Sequence, residues 1–113
     1  MIGMLKPHPR VYGTFPRKLR LVALDNRWMS IQSAIRTMTS LPAEKFKIQQ
    51  RGKIEKGYFA DIAVIDLANF RDQATYMDPH KYAVGVKHLL INGTVAITDG
   101  QATNQGGGLA IKC

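Results

Sequence analysis

The dipeptide Asn92-Gly93 separates two runs, Val86-Lys87-His88-Leu89-Leu90-Ile91 and Thr94-Val95-Ala96-Ile97-Thr98, both rich in β-branched and aliphatic residues. Asn and Gly enter positive φ at low cost, and a two-residue type I′ turn needs positive φ at both central positions. The segment therefore predicts a hairpin, and any fold for this chain must accommodate an antiparallel pair there. Upstream, Ala60-Asp61-Ile62-Ala63-Val64-Ile65-Asp66 is apolar on both faces, which predicts a buried strand over 60–66. Gly52 and Gly57 mark turns on either side of Ile54, and Asp99-Gly100 offers a further turn. Residues 104–113, "NQGGGLAIKC", read as a flexible tether to a short terminal strand, and residues 69–82 lack periodicity and read as loop.

The first half follows a helical period instead. After an opening loop, "HPRVYGTFPR" (residues 8–17), Phe15, Leu19, Val22 and Ala23 fall at helical spacing with Pro16 in the first turn, predicting a helix near 15–25. Ser30 is a candidate N-cap for a second helix near 30–39, because Ile31, Ala34, Ile35 and Met38 repeat at i, i+3, i+4 and i+7. Ser40 caps a short third helical turn through Pro42, Ala43, Glu44, Lys45 and Phe46. Helices followed by a largely antiparallel set of strands make the expected class α+β.

Charge is distributed unevenly. The net charge is +8, yet residues 1–53 hold eleven Lys/Arg against two acids, whereas residues 54–113 hold five against six. Such asymmetry suits either a phosphate-binding face or a piece of a larger molecule whose remainder carries the balancing acids. The basic residues are not interleaved with stacking aromatics and no zinc-finger, KH or RNP signature occurs, so nucleic acid is not the expected partner. No apolar run long enough to span a membrane and no signal-peptide pattern is present, so no membrane association is expected and the expected location is cytoplasmic. The single cysteine, Cys113, reads as an exposed, incidental thiol.

No catalytic constellation is announced by spacing. His8, His80 and His88 are far apart and lack the His-x-His or His-x-x-x-His spacing of a metal site. His88 falls in a predicted strand as a surface histidine, and His80, within Asp78-Pro79-His80, is expected to order a turn. Gly106-Gly107-Gly108 has neither lysine nor following helix, so it is no phosphate loop. Asp61 and Asp66 bracket a strand, where carboxylates commonly organise turns. Catalytic and metal residues are therefore expected to be none within this chain.

The motifs "HPRVYGTFPRKLR", "SIQSAIRTMTSLPAEKF", "RGKIEKGYFADIAVID" and "DPHKYAVGVKHLLINGTVAITDG", in this order and spacing, resemble the carboxy-terminal part of the N-acyl-D-amino-acid deacylases, the D-aminoacylases of the amidohydrolase superfamily. The glycine-and-aspartate pattern at Gly52, Ile54, Gly57, Ala60, Asp61, Val64 and Asp66 is shared across that superfamily, and the H-P-R-x-Y-G-T-F-P-R and D-P-H-x-Y motifs narrow the resemblance to deacylases. The resemblance implies a zinc-dependent hydrolase that cleaves the amide of an N-acyl-D-amino acid. In it, zinc polarises the acyl carbonyl and activates water, and an aspartate ending the last barrel strand is base and then acid. It also implies a (β/α)8 barrel beside a small β-sandwich. Eight βα units need about 250 residues, more than the 113 present.

On that resemblance, residues 1–50 correspond to the rim loop and terminal helices of the barrel domain, and residues 51–113 to the carboxy-terminal strands of the β-sandwich domain. The family's aspartate precedes the H-P-R motif by a short loop, where this chain has Met1-Ile2-Gly3-Met4-Leu5-Lys6-Pro7 and no carboxylate. The expectation is thus a segment that is inactive alone and takes an N-acyl-D-amino acid only when a barrel completes it. Arg10 is the expected substrate-binding residue, pairing with the α-carboxylate; alternatively, prolines and Gly13 shape the loop while Arg10 and Arg17 pair with acids elsewhere in a barrel. Apolar helix faces left uncovered (Phe15, Leu19, Ile35, Met38) would favour self-association. The competing reading is a basic stand-alone binding module for nucleic acid or a protein partner.

Overall fold

The structure is a computed structural model that describes residues 6–111. Its helical half contains α1 (Arg10–Lys18), which runs directly into a π-helical turn (Leu19–Asp25), then α2 (Ile31–Arg36) and α3 (Ser40–Lys45). The strands β1 (Ile62–Ile65), β2 (Val86–Ile91), β3 (Thr94–Thr98) and β4 (Gln101–Ala102) form one antiparallel sheet in that order. The α+β class expected from the sequence is the class observed.

The hairpin forms where the sequence places it. Asn92 and Gly93 have φ of 50° and 80°, both in the left-handed region that a type I′ turn needs. Asp99 and Gly100, at 47° and 76°, repeat the device between β3 and β4. The tail then crosses back under the hairpin, where Asn92 Nδ2 donates to the Gly107 carbonyl at 2.6 Å. No strand occurs over 104–111, so the expected terminal strand is absent among the described residues; Cys113 lies outside them.

The first helix departs from expectation. It begins at Arg10, so most of the "HPRVYGTFPR" segment is helix rather than loop, and Pro16 sits inside it. A proline there leaves the Tyr12 carbonyl without its usual N–H donor, and the chain after it winds more widely, with Asn26 N–H bonded five residues back to Leu21 O at 3.1 Å. α2 follows its capping signal: Ser30 Oγ accepts from Ser33 N–H at 3.1 Å. Ser40 does not act as the cap of α3. It is the first residue of that helix and is buried, while the cap position falls to Thr39, whose hydroxyl instead donates to the Ile35 carbonyl.

The strand over 62–65 also corrects the sequence reading. β1 is an edge strand paired only with β2, and Ala63 and Val64 are exposed, Val64 by 46%. Consecutive exposed residues lie on opposite faces of a strand, so β1 has the composition of a buried strand without its cover, which is why the pattern misled.

The core joins the two halves. Leu19, Ala23, Ala34 and Phe70 are buried together, with Met29, Ile31, Met38, Ile65 and Val86 packed against them. Ile65 and Val86 are partners across β1 and β2, so the helices rest on one end of the sheet. Of the residues expected to be uncovered, Phe15 (60% exposed) and Ile35 (39%) are, whereas Leu19 (1%) is the centre of the core. Phe15 on α1 and Leu19 in the π-helical turn that follows it therefore point opposite ways, one out of this chain and one into it, and Met38 packs against the core rather than standing uncovered.

Candidate functional site

The start of α1 is built from its own preceding residues. Val11 N–H donates to His8 O at 3.0 Å and Tyr12 N–H to Pro9 O at 3.2 Å. The Arg10 N–H, one of the donors that a helix leaves unmatched at its first turn, is taken by His8 Nδ1 at 3.2 Å. A histidine thus caps the helix where the cap residue itself, Pro9, has no side-chain acceptor.

The loop between β1 and β2 folds along this turn and holds it from the side. Tyr76 OH meets His8 Nε2 at 3.0 Å, and Tyr12 OH meets His80 Nδ1 at 3.2 Å. Tyr12 also packs edge-on against Tyr82, with ring centroids 5.4 Å apart. His80 therefore ties its loop to α1 rather than only ordering its own turn, which is held instead by Thr75 and Asp78. Closer to the middle of α1, Gly13 lets the loop approach: a Cβ there would lie 2.6 Å from Cβ of Asp72. Asp72 accepts from Arg17 at 3.3 Å.

Between helix and loop lies an open cleft of about 400 Å³, lined among others by His8, Arg10, Thr14, Arg17, Asp72 and Tyr76. Arg17 is paired with Asp72 within the chain. Arg10 is exposed and, among the described residues, has no carboxylate within ion-pair distance. The cleft thus carries one unmatched positive charge at a helix N-terminus, a place whose dipole also favours anions.

The other polar motifs are structural. Asp61 accepts from the Asn92 backbone N–H at 2.8 Å and from the Arg51 guanidinium, which also stacks 4.1 Å from the Phe59 ring centroid. Burial pushes the Asp61 carboxyl up, but the Asn92 and Arg51 donors outweigh it and hold the group below the ordinary carboxylate range. Asp66 is lowered by the Asn69 side-chain amide first, together with backbone N–H groups of the turn that follows β1. Arg20, which no sequence signal singled out, donates to the carbonyls of Leu67, Ala68 and Phe70 and closes the same turn from the helix side. The two aspartates of the glycine-and-aspartate pattern therefore fasten β1 at both ends.

This arrangement belongs to a known class. Residues 1–97 match the amidohydrolase family, and the chain belongs to it. Over 103 residues it is 38% identical to a D-aminoacylase of Alcaligenes xylosoxydans xylosoxydans, covering 91% of this chain and 21% of that protein. A crystal structure of D-aminoacylase, described as defining a novel subset of amidohydrolases, superposes with a TM-score of 0.84 at 38% identity over 88% of this chain and 21% of that one. The N-acyl-D-glutamate deacylase of Bordetella bronchiseptica, solved with zinc and a phosphonate inhibitor, superposes with a TM-score of 0.77 at 36% identity over 86% of this chain and 21% of that one. The chain spans about a fifth of the length of the relatives it matches.

The zinc of that relative finds no ligand set here. No three His, Cys, Asp or Glu side chains converge among the described residues. His8 has both ring nitrogens engaged, by Arg10 N–H and by Tyr76. His80 Nδ1 meets Tyr12, and His88 Nδ1 accepts from the Asp99 N–H at 3.4 Å. The described residues of this chain do not fit a zinc site.

Proposed function

We propose that the chain is the carboxy-terminal segment of a zinc-dependent deacylase that cleaves the amide of N-acyl-D-amino acids, and that it has no hydrolytic activity by itself. On this reading residues 1–50 supply the rim and last helices of a (β/α)8 barrel, and residues 51–113 supply strands of an accompanying β-sandwich. The exposed Val64 of β1 and the outward-facing Phe15 are then surfaces that the remaining four-fifths of such a protein would cover.

The observation that carries the substrate assignment is the unmatched Arg10 in a cleft whose other guanidinium is already neutralised. A guanidinium of this kind binds a carboxylate through two parallel N–H donors, and every N-acyl-amino acid retains its α-carboxylate. Arg10 accordingly orients substrate, while the metal and the proton-transferring carboxylate come from outside this segment. The test is hydrolysis of N-acetyl-D-methionine by the purified chain, with and without added zinc. No D-methionine is expected in either case. Zinc-dependent release that disappears in Arg10→Ala or His8→Ala would overturn the reading of an inactive segment.

A further inference from the structure

We infer that His8 is a positioning residue for Arg10, held in a single tautomer by the Arg10 backbone N–H and anchored to the opposite loop by Tyr76. The inference rests on the substrate role proposed for Arg10, but its geometry stands apart from it. The Arg10 backbone N–H can only donate, so the nitrogen facing it at 3.2 Å, His8 Nδ1, must be the unprotonated one. In the neutral ring the proton is then on Nε2, which faces Tyr76 OH at 3.0 Å with the two rings edge-on and their centroids 5.1 Å apart. The opposite tautomer would place two N–H donors against each other and leave the tyrosine contact without the histidine proton.

The consequence reaches the cleft through one residue. His8 fixes where α1 begins, and the first residue of α1 is Arg10, so the direction of its side chain depends on this cap. Tyr76 belongs to the loop that forms the opposite wall. The two walls are therefore joined by the same imidazole that sets the arginine. Other charged groups lining this cleft are Arg17 and Asp72, which are paired to each other.

The experiment uses the full chain labelled with 15N. With the imidazole neutral, His8 should show the Nε2–H tautomer, and the Arg10 amide should exchange slowly with solvent. Tyr76→Phe should leave the Nε2–H tautomer in place, because the Arg10 N–H sets it, and His8→Ala should speed Arg10 amide exchange by roughly threefold to tenfold, the value of one ordinary hydrogen bond. His8→Asn, whose side-chain oxygen is a good helix cap, should restore the slow exchange without restoring the tyrosine contact. A His8 ring protonated on Nδ1, or an Arg10 amide that exchanges equally fast in wild type and His8→Ala, would overturn the inference. The substrate role is read separately, in a chimera whose barrel comes from a D-aminoacylase: a KM for N-acetyl-D-methionine indifferent to Arg10→Ala would refute that role alone, because the ring and amide signals judge the positioning without ligand.

Discussion

Asp61 offers the sharpest stability test, because it joins three segments that are distant in sequence. Its carboxylate accepts from the Asn92 N–H in the hairpin and from Arg51, whose side chain is only 14% exposed, while Asp61 itself is 34% exposed. Asp61→Ala removes a charged acceptor from a backbone donor, worth roughly 1.5–3 kcal/mol. It also removes an ion pair worth about 1 kcal/mol or less at this exposure. Because the two terms share one group, the expected total is roughly 2–3 kcal/mol. Asp61→Asn keeps an acceptor for Asn92 and should cost only about 1 kcal/mol. With a urea slope of about 1.5 kcal/mol/M, typical of a small domain, Asp61→Ala should lower the midpoint by about 1.3–2 M at unchanged slope. The folded carboxyl is depressed from its ordinary value of 3.8, so its stabilisation is complete above that pH and is lost as pH falls through the folded value. Acid sensitivity below about pH 4 should accordingly be smaller in Asp61→Asn than in the wild type. A midpoint for Asp61→Ala within about 0.3 M of wild type, the size of a neutral surface change, would refute this reasoning.

Gly85→Ala should destabilise by roughly 2–4 kcal/mol in the same urea assay, since Gly85 has φ of 97° and a Cβ there would lie 2.5 Å from the Phe70 Cα; an unchanged midpoint would contradict it. Val11 and Phe15 are 66% and 60% exposed on α1, so the isolated chain is expected to self-associate in sedimentation velocity. The double variant Val11→Lys/Phe15→Lys should then raise the dissociation constant by at least about tenfold, given the apolar area removed from the contact. A wild-type chain that stays monomeric at high concentration and binds no hydrophobic dye would count against an open apolar face. Asn92→Ala should cost roughly 1 kcal/mol, because alanine tolerates the left-handed turn less well than asparagine and loses the bond to Gly107.

The sequence was most informative where a local rule has one good solution. Asn92-Gly93 and Ser30 are of this kind: a positive-φ pair between two β-branched runs, and a hydroxyl before a helical period, each act through neighbours within a few residues. The beginning of α1 was not legible because its cap is a histidine, which seldom serves this purpose, and because Pro16 marks a helix start in most contexts but lies inside one here. The exposure of Val64 was misread because composition reports what a face is suited to pack against, not whether this chain supplies it. Arg20 and the Tyr76–His8 and Tyr12–His80 contacts were invisible for another reason: the two tyrosine–histidine pairs join residues 68 positions apart, and no periodicity encodes such pairings. Arg10 was singled out through its motif, and the structure adds only that it lies in a cleft beside an arginine already neutralised.

The function proposed here makes this chain one part of a deacylase, with Arg10 binding the substrate carboxylate for the whole. Its most direct test is to replace the matching fifth of the Alcaligenes D-aminoacylase with residues 6–111 of this chain and to measure release of D-methionine from N-acetyl-D-methionine with zinc present. The chimera should be active, and Arg10→Ala within it should raise KM by about tenfold to a hundredfold, the loss of a charge-assisted pair of hydrogen bonds. A folded, zinc-loaded chimera that releases no D-methionine, or one whose KM is indifferent to Arg10→Ala, would contradict the account.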